Sequence, residues 1–293
     1  MGFASFHPLV TFAWFACAIV LVVVAAHPMW AGMALAASAA CCLMIRGRGG
    51  WKLIAGMAAA FVVLSFANGL FNARGSTVLF SWLGRPYTLE ALCYGMQTAA
   101  MFVCMMLLFG SFDRVMTTDR ITYLFGKRAS SITLVLTMAM RSVPRYVRQA
   151  KEFDRARSGI GEGASGGTIE QRIRSGLSIL GALVTWALES GITTADSMRS
   201  RGYGVAPMRT RIMCFRFNVR DACLLAVMAI FAGAAAFGIA QGAADAEWFP
   251  RMKLPEATMM GFISLCAFSC FMLIPFAIEV GRRASWRSSI SRI

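Results

Sequence analysis

"VLTMAMRSVPRYVRQAKEFDRARSGIG", Val135 to Gly161, holds an apolar helical repeat and a run of arginines in one stretch. Ile132, Val135, Leu136, Ala139, Met140, Val143 and Val147 recur at helical spacing. Arg141, Arg145, Arg148, Glu152 and Arg155 recur every three or four residues on a different face. With Lys151, Arg157, Arg172 and Arg174 they place eight basic residues between positions 141 and 174. One arginine at the centre of a membrane helix costs at least ~2.5 kcal/mol to insert. The spacing therefore predicts an amphipathic helix that does not cross a membrane. Pro144 should kink it, because proline removes one backbone hydrogen bond and crowds the carbonyl of Met140.

The chain on either side is different. Of 293 residues, 58% are hydrophobic and only 15% charged, against about 25% charged in a soluble domain. Apolar runs near the ~20 residues that cross a bilayer cover Pro8 to Ala26, Pro28 to Ile45, and about 53–71, 89–109, 222–239 and 258–280. These runs predict an all-α integral membrane protein with about six transmembrane helices, joined by two or three long amphipathic cytoplasmic helices. The division is 1–111 with four spans, 112–220 as the amphipathic region, and 221–293 with two spans. The N-terminus has neither a charged leader region nor a small-residue cleavage site, so a signal peptide is not expected. His7-Pro8 and His27-Pro28 open the first two runs, where proline's missing N–H is no loss. That position reads as a helix boundary.

The net charge of +15 does not indicate nucleic acid. No lysine or arginine precedes Arg46, and the basic residues gather between apolar runs, where they set topology. Arg46, Arg48 and Lys52 follow the second run, and Arg282, Arg283, Arg287 and Arg292 follow the last. The positive-inside rule then puts both termini in the cytoplasm, with 72–87 and 242–256 outside. The nine cysteines are scattered without a C-x-x-C pair and read as small apolar packers.

Within the amphipathic region, glycine-rich "SGIGEGASGG" (Ser158 to Gly167) ends the first helix, and Thr168 with Gln171 fits a capping box for a second. Ile173, Leu177, Leu180, Val184, Leu188, Ile192 and Ala195 line one side of it, and Gly202 or Gly204 stops it. The two helix ends resemble each other. "DRARSGIG" aligned on "MRSRGYG" matches Arg155 with Arg199, Ala156 with Ser200 and Arg157 with Arg201. The helix macrodipole favours arginine at a C-terminus by about 0.3–1 kcal/mol. That accounts for basic residues but not for one local pattern twice. Two tips, each offering a planar guanidinium beside a small residue, suit two similar carboxylate-bearing partner surfaces.

At these residues the chain resembles the transmembrane T component of energy-coupling factor (ECF) transporters. That family carries two X-Arg-X motifs of the Ala-Arg-Gly type at the ends of two cytoplasmic coupling helices. The matches are Ala156-Arg157-Ser158 and Ser200-Arg201-Gly202, with Arg155, Arg199, Tyr203 and Pro144 in support. Serine replaces glycine in the first motif and alanine in the second; both keep a small neighbour. Further likeness lies in "NGLFNARGSTVLF" (Asn68 to Phe80), "TLEALCYG" (Thr88 to Gly95), Val115 to Tyr146 and Ala187 to Gly204. The resemblance implies a prokaryotic cell-membrane protein with three protein partners, two ABC ATPase subunits and a substrate-binding S component that captures a vitamin or a transition-metal ion. It implies no cofactor in this chain, ATP being bound by the partner subunits. The twenty methionines, Met138, Met140 and Met198 among them, suit a surface that repacks against partners.

Two other classes remain open. A self-contained carrier or channel, without ATPase partners, would need ionisable residues inside spans. The first, second and fifth spans have none, Glu90 opens the fourth, and Glu279 lies near the end of the sixth. A membrane enzyme would need a catalytic cluster. No phosphate-binding G-x-x-x-x-G-K-[ST] loop and no carboxylate pair beside a histidine occurs, so no catalytic residue is assigned.

Overall fold

The structure is a computed structural model. It describes residues 3–72, 75–82, 85–125, 130–163, 168–205, 215, 217–249, 252 and 258–290; side chains are not described at 4, 79–86, 125, 130–133 and 283–290. Nine α-helices occur among the described residues: α1 (Pro8–Val24), α2 (Pro28–Arg46), α3 (Arg48–Phe71), α4 (Leu89–Val115), α5 (Thr118–Phe125), α6 (Ser130–Gly159), α7 (Ile169–Ser200), α8 (Val219–Ala240) and α9 (Met259–Ile290). Between α3 and α4, β1 (Val78–Trp82) pairs antiparallel with β2 (Arg85–Thr88), with Val78 opposite Thr88 and Trp82 opposite Arg85. The fold class is thus all-α with one short hairpin.

The chain divides into two compact units. One is Met1–Leu124 with Phe215–Ile293, and the other is Phe125–Cys214. The second unit is shorter at both ends than the 112–220 region expected from sequence. Residues 112–115 belong to the last turn of α4, and α5 packs into the first unit through Tyr123.

Local chemistry starts the first two helices as the sequence suggests. The Nδ1 atoms of His7 and His27 accept the backbone N–H of Leu9 and Met29, both at 3.2 Å. Each histidine is the N-cap before a proline, and its ring supplies the acceptor that serine or aspartate usually supplies. In α1 the buried face of Val10, Trp14, Phe15, Ala18, Leu21 and Val22 packs into a core with Trp30, Leu108, Phe268 and Phe271. The helix α3 lies against α4, and glycine lets them close. A Cβ at Gly95 would sit 2.5 Å from the Ser65 carbonyl. At that approach Asn68 Nδ2 donates to Thr98 Oγ1 at 2.7 Å, pairing two polar groups that lipid would leave unsatisfied.

Six described helices are long and apolar enough to span a membrane: α2, α3, α4, α7, α8 and the Met259–Arg282 part of α9. The number agrees with the sequence expectation, but the set does not. Helix α1, with 17 residues, is about 26 Å long at ~1.5 Å per residue and falls at the short end of the spanning range. Helix α7 enters because the arginines that argue against insertion stop at Arg174. From Ser175 to Ala195 the one ionisable residue is Glu189.

Candidate functional site: the ends of α6 and α7

Helices α6 and α7 form an antiparallel pair. Tyr146, midway along α6, meets Trp186 edge-on with ring centroids 5.8 Å apart, and the Arg145 guanidinium lies 4.8 Å from the same indole centroid. Eleven residues later on α6, Arg157 Nη1 donates to Ser178 Oγ at 2.8 Å, eight residues earlier on α7. Helix α6 continues through Pro144, whose carbonyl accepts from Arg148 Nε at 3.3 Å. The turn ends in the capping box expected from sequence. Thr168 N–H donates to Gln171 Oε1 at 2.9 Å, and Gln171 N–H donates to Thr168 Oγ1 at 3.4 Å.

The apolar stripes do not hold this pair together. Val135, Leu136, Met140, Val143 and Val147 on α6 are exposed, and so are Ile173, Leu177, Leu180, Val184, Leu188 and Ile192 on α7. Ile132 of the expected stripe has a side chain outside those described. Ser175 and Ile179 are the buried residues of α7. Each helix therefore offers an apolar row to something outside the pair, whether protein or lipid.

Both helices end in the same backbone device. At the end of α6, Glu162 N–H donates to the Arg157 carbonyl at 2.9 Å and Gly161 N–H to the Ser158 carbonyl at 3.2 Å, with Gly161 at φ 80°. At the end of α7, Tyr203 N–H donates to the Met198 carbonyl and Gly202 N–H to the Arg199 carbonyl, both at 3.0 Å, with Gly202 at φ 80°. These are paired Schellman caps, each turning on a glycine in the left-handed region. Gly202, rather than Gly204, is the turning residue of the second.

The caps shift the register inferred from sequence. Sequence alignment sets Arg157 on Arg201. Cap geometry sets Arg157 on Met198 and Ile160 on Arg201. Arg201 is the C-cap residue itself, whereas Arg157 sits three positions inside its cap, roughly 4.5 Å back along the axis. The two tips are also far apart. From Ser178, where Arg157 is bonded, α7 runs about 34 Å to Arg201 at ~1.5 Å per residue.

The surroundings of the two arginines differ as well. Arg201, Arg155, Arg199, Ala156, Ser158, Ser200 and Gly202 are exposed, and Tyr203 is 40% exposed. Arg157 is half-buried. Its Nη2 donates to Glu162 Oε2 at 2.7 Å, and its Nε–H is buried without a hydrogen-bond partner among the described residues. Ser158 Oγ turns back to the Asp154 carbonyl at 2.8 Å. Sequence reading singled out both arginines and passed over Glu162. The signal was present: an acid directly after the glycine that turns the cap.

Among the described residues of the first unit, the buried carboxylates are already engaged. Glu90 is buried and accepts from Ser76 Oγ at 3.0 Å and Thr77 Oγ1 at 2.6 Å, which fixes the loop entering β1. Glu279 is buried and paired with Arg282 one turn on. An open recess of about 370 Å³ between α2, α3 and α4 is walled by Pro28, Leu35, Phe61, Met96 and Trp248, with the Gln97 amide and no charged group among the described residues. No group of three His, Cys, Asp or Glu that could hold a metal occurs among the described residues.

No family model matches the chain. Three curated proteins are similar to it, each an energy-coupling factor transporter transmembrane protein EcfT. That of Bacillus selenitireducens is 24% identical over 183 residues, which cover 59% of this chain and 68% of that protein. That of Listeria innocua is 25% identical over 178 residues, covering 56% and 66%. That of Exiguobacterium sibiricum is 27% identical over 97 residues, covering 33% and 37%. The chain thus spans about two thirds of the length of the first two.

Proposed function

We propose that this chain, which its similarity to three EcfT proteins assigns to that family, is the membrane coupling subunit of an ECF-type importer. The relatives are transmembrane components of transporters, which points to a non-catalytic membrane subunit. In the proposed complex two ABC ATPases bind and hydrolyse ATP. A membrane S component holds the substrate, of the vitamin or transition-metal-ion class that the family resemblance implies. Both termini and the α6–α7 pair lie on the cytoplasmic side of a prokaryotic cell membrane, in accord with the basic loops. Helix α7 rests there as an amphipathic element, with Arg172, Arg174, Arg199 and Arg201 flanking its apolar stretch.

The observation that carries this reading is the placement of the two arginine tips. They end two different helices, each on a glycine-turned cap, and lie about 34 Å apart along α7. One partner surface of standard size does not engage both tips, but two ATPases can take one each. When ATP closes the ATPases, the tips they hold change separation. The pair transmits that change along its length, because Trp186 and Ser178 tie α7 to α6. The exposed apolar rows then pass it to whatever they cover.

Charge reversal tests the reading. Arg157→Glu with Arg201→Glu would face acceptor carboxylates with like charge, and truncating one partner of a buried charge pair already costs ~2–5 kcal/mol. The double variant should reach the membrane and release both ATPases on purification. Recovery of an intact complex would overturn the proposal. A self-contained carrier is disfavoured because Glu90 and Glu279 are already engaged and the described lining of the recess beside α2 carries no charged group.

A further inference from the structure

We infer that Glu162 latches Arg157, so that the two tips are unequal: the Arg201 tip stands open to a partner, and the Arg157 tip docks only when a partner carboxylate displaces Glu162. The inference rests on the coupling reading above and concerns the order in which its two partners engage.

Cap geometry makes the latch. In a Schellman cap the residue three positions inside the C-cap and the residue just past the turning glycine come together, and an apolar contact commonly joins them. In the second tip those two positions are Met198 and Tyr203, the usual kind of pair. In the first tip they are Arg157 and Glu162, and an ion pair of 2.7 Å replaces the apolar contact. The backbone that places Glu162 does not depend on its carboxylate. Gly161 at φ 80° reverses the chain, and the Glu162 N–H is fixed to the Arg157 carbonyl. Gly163 completes the turn where a Cβ would collide with the Ser158 side chain. The acid is therefore aimed at the arginine by its own helix end.

Two features make the latch releasable. The Glu162 side chain is 62% exposed while that of Arg157 is 26% exposed, so the acid can swing into solvent while the guanidinium stays in place. The Arg157 Nε–H also lacks a partner among the described residues in the latched state. A docked carboxylate arriving from another direction can satisfy it, and Glu162 from its present position does not. Such partly exposed pairs are weak, so the latch biases docking without forbidding it.

Two measurements on the full-length chain in nanodiscs test this. The first needs no partner. Phenylglyoxal modification, followed by peptide mass spectrometry, should label Arg157 roughly two- to fivefold more slowly than Arg201, as a partly exposed ion pair allows. Glu162→Gln, and more so Glu162→Ala, should close the gap. Equal labelling in the wild type, or no gain in either variant, overturns the latch. The second uses the two ABC ATPases that co-purify with the wild-type chain, freed of nucleotide. In an Arg201→Glu background, where the first tip must carry docking, Glu162→Gln should tighten their binding by about two- to fivefold. In an Arg157→Glu background it should change nothing. If both arginine reversals weaken binding but Glu162→Gln never strengthens it, the latch fails and the coupling reading stands. If neither reversal weakens binding, the coupling reading itself fails.

Discussion

Trp14 on α1 donates its Nε1–H to the Phe271 carbonyl on α9 at 3.0 Å, and that carbonyl is the one Pro275 leaves without a helix donor. Proline removes the N–H that would have reached back four residues. In an apolar core an unpaired carbonyl is costly, and a fully buried indole 257 positions away satisfies it. The same ring stacks on Phe271 with centroids 6.1 Å apart. One residue thus supplies both the packing and the hydrogen bond that allow α9 to carry a proline.

Trp14→Phe keeps most of the packing and removes the donor. It should cost about 1–3 kcal/mol, the penalty of orphaning a buried acceptor, read as a lower unfolding temperature of the full chain in detergent. Pairing it with Pro275→Ala should recover most of the loss, since the helix then satisfies Phe271 itself. Failure of that rescue would show that packing, and not the hydrogen bond, is what Trp14 contributes.

Gly95 and Gly191 should respond oppositely to a side chain. Gly95→Val drives a methyl group into the Ser65 backbone and should cost about 1–3 kcal/mol or prevent folding. Gly191 on α7 has open space where a Cβ would go, and Gly191→Ala should stabilise by roughly 0.5–1 kcal/mol. Size-exclusion profiles and thermal melts of the two variants check this.

The chain leaves and re-enters the first unit at one knot of aromatic rings. Tyr123 Oη donates to the Phe215 carbonyl at 2.9 Å, and the His7 ring sits edge-on to Tyr123 and Phe217 at 5.7 and 5.4 Å. The His7 N–H meets Asp221 Oδ1 at 3.1 Å, and Asp221 Oδ2 caps Asn218 N–H at 3.0 Å. Tyr123→Phe should cost about 0.5–1.5 kcal/mol and raise amide exchange at residues 217–221 before it raises exchange in α1. Uniform acceleration throughout would contradict a local tie.

Stability should depend on His27. Burial holds its imidazole below the ordinary value of 6.5, and Nδ1 must stay unprotonated to accept from Met29. A lowered folded pKa means the unfolded chain binds the proton more readily. The stabilisation is therefore complete above about pH 6.5 and declines as pH falls through the lowered folded value. His27→Asn keeps a capping acceptor that does not titrate. The melting temperature of the wild type relative to this variant should fall between pH 7 and pH 5, and a constant difference would refute the assignment.

Much of this protein was legible from residue order. Membrane spans depend on length and apolarity, and caps on one or two residues at a helix end, so α2, α3, α4, α8 and the Thr168–Gln171 box could be read directly. The repeated pattern around the two arginines is visible there as well, because a repeat is a property of sequence. Tertiary structure decided what depends on where a chain turns and what lies across from it. The C-cap falls at Ile160 in one helix and at Arg201 in the other, which breaks the apparent equivalence of the two arginines. An acid five residues on closes over Arg157, and the Phe271 carbonyl finds its donor in a distant tryptophan. The physical reason is range: hydropathy and helix propensity sum over neighbours, whereas hydrogen-bond partners are set by direction and by distances of about 3 Å, which only a folded backbone fixes.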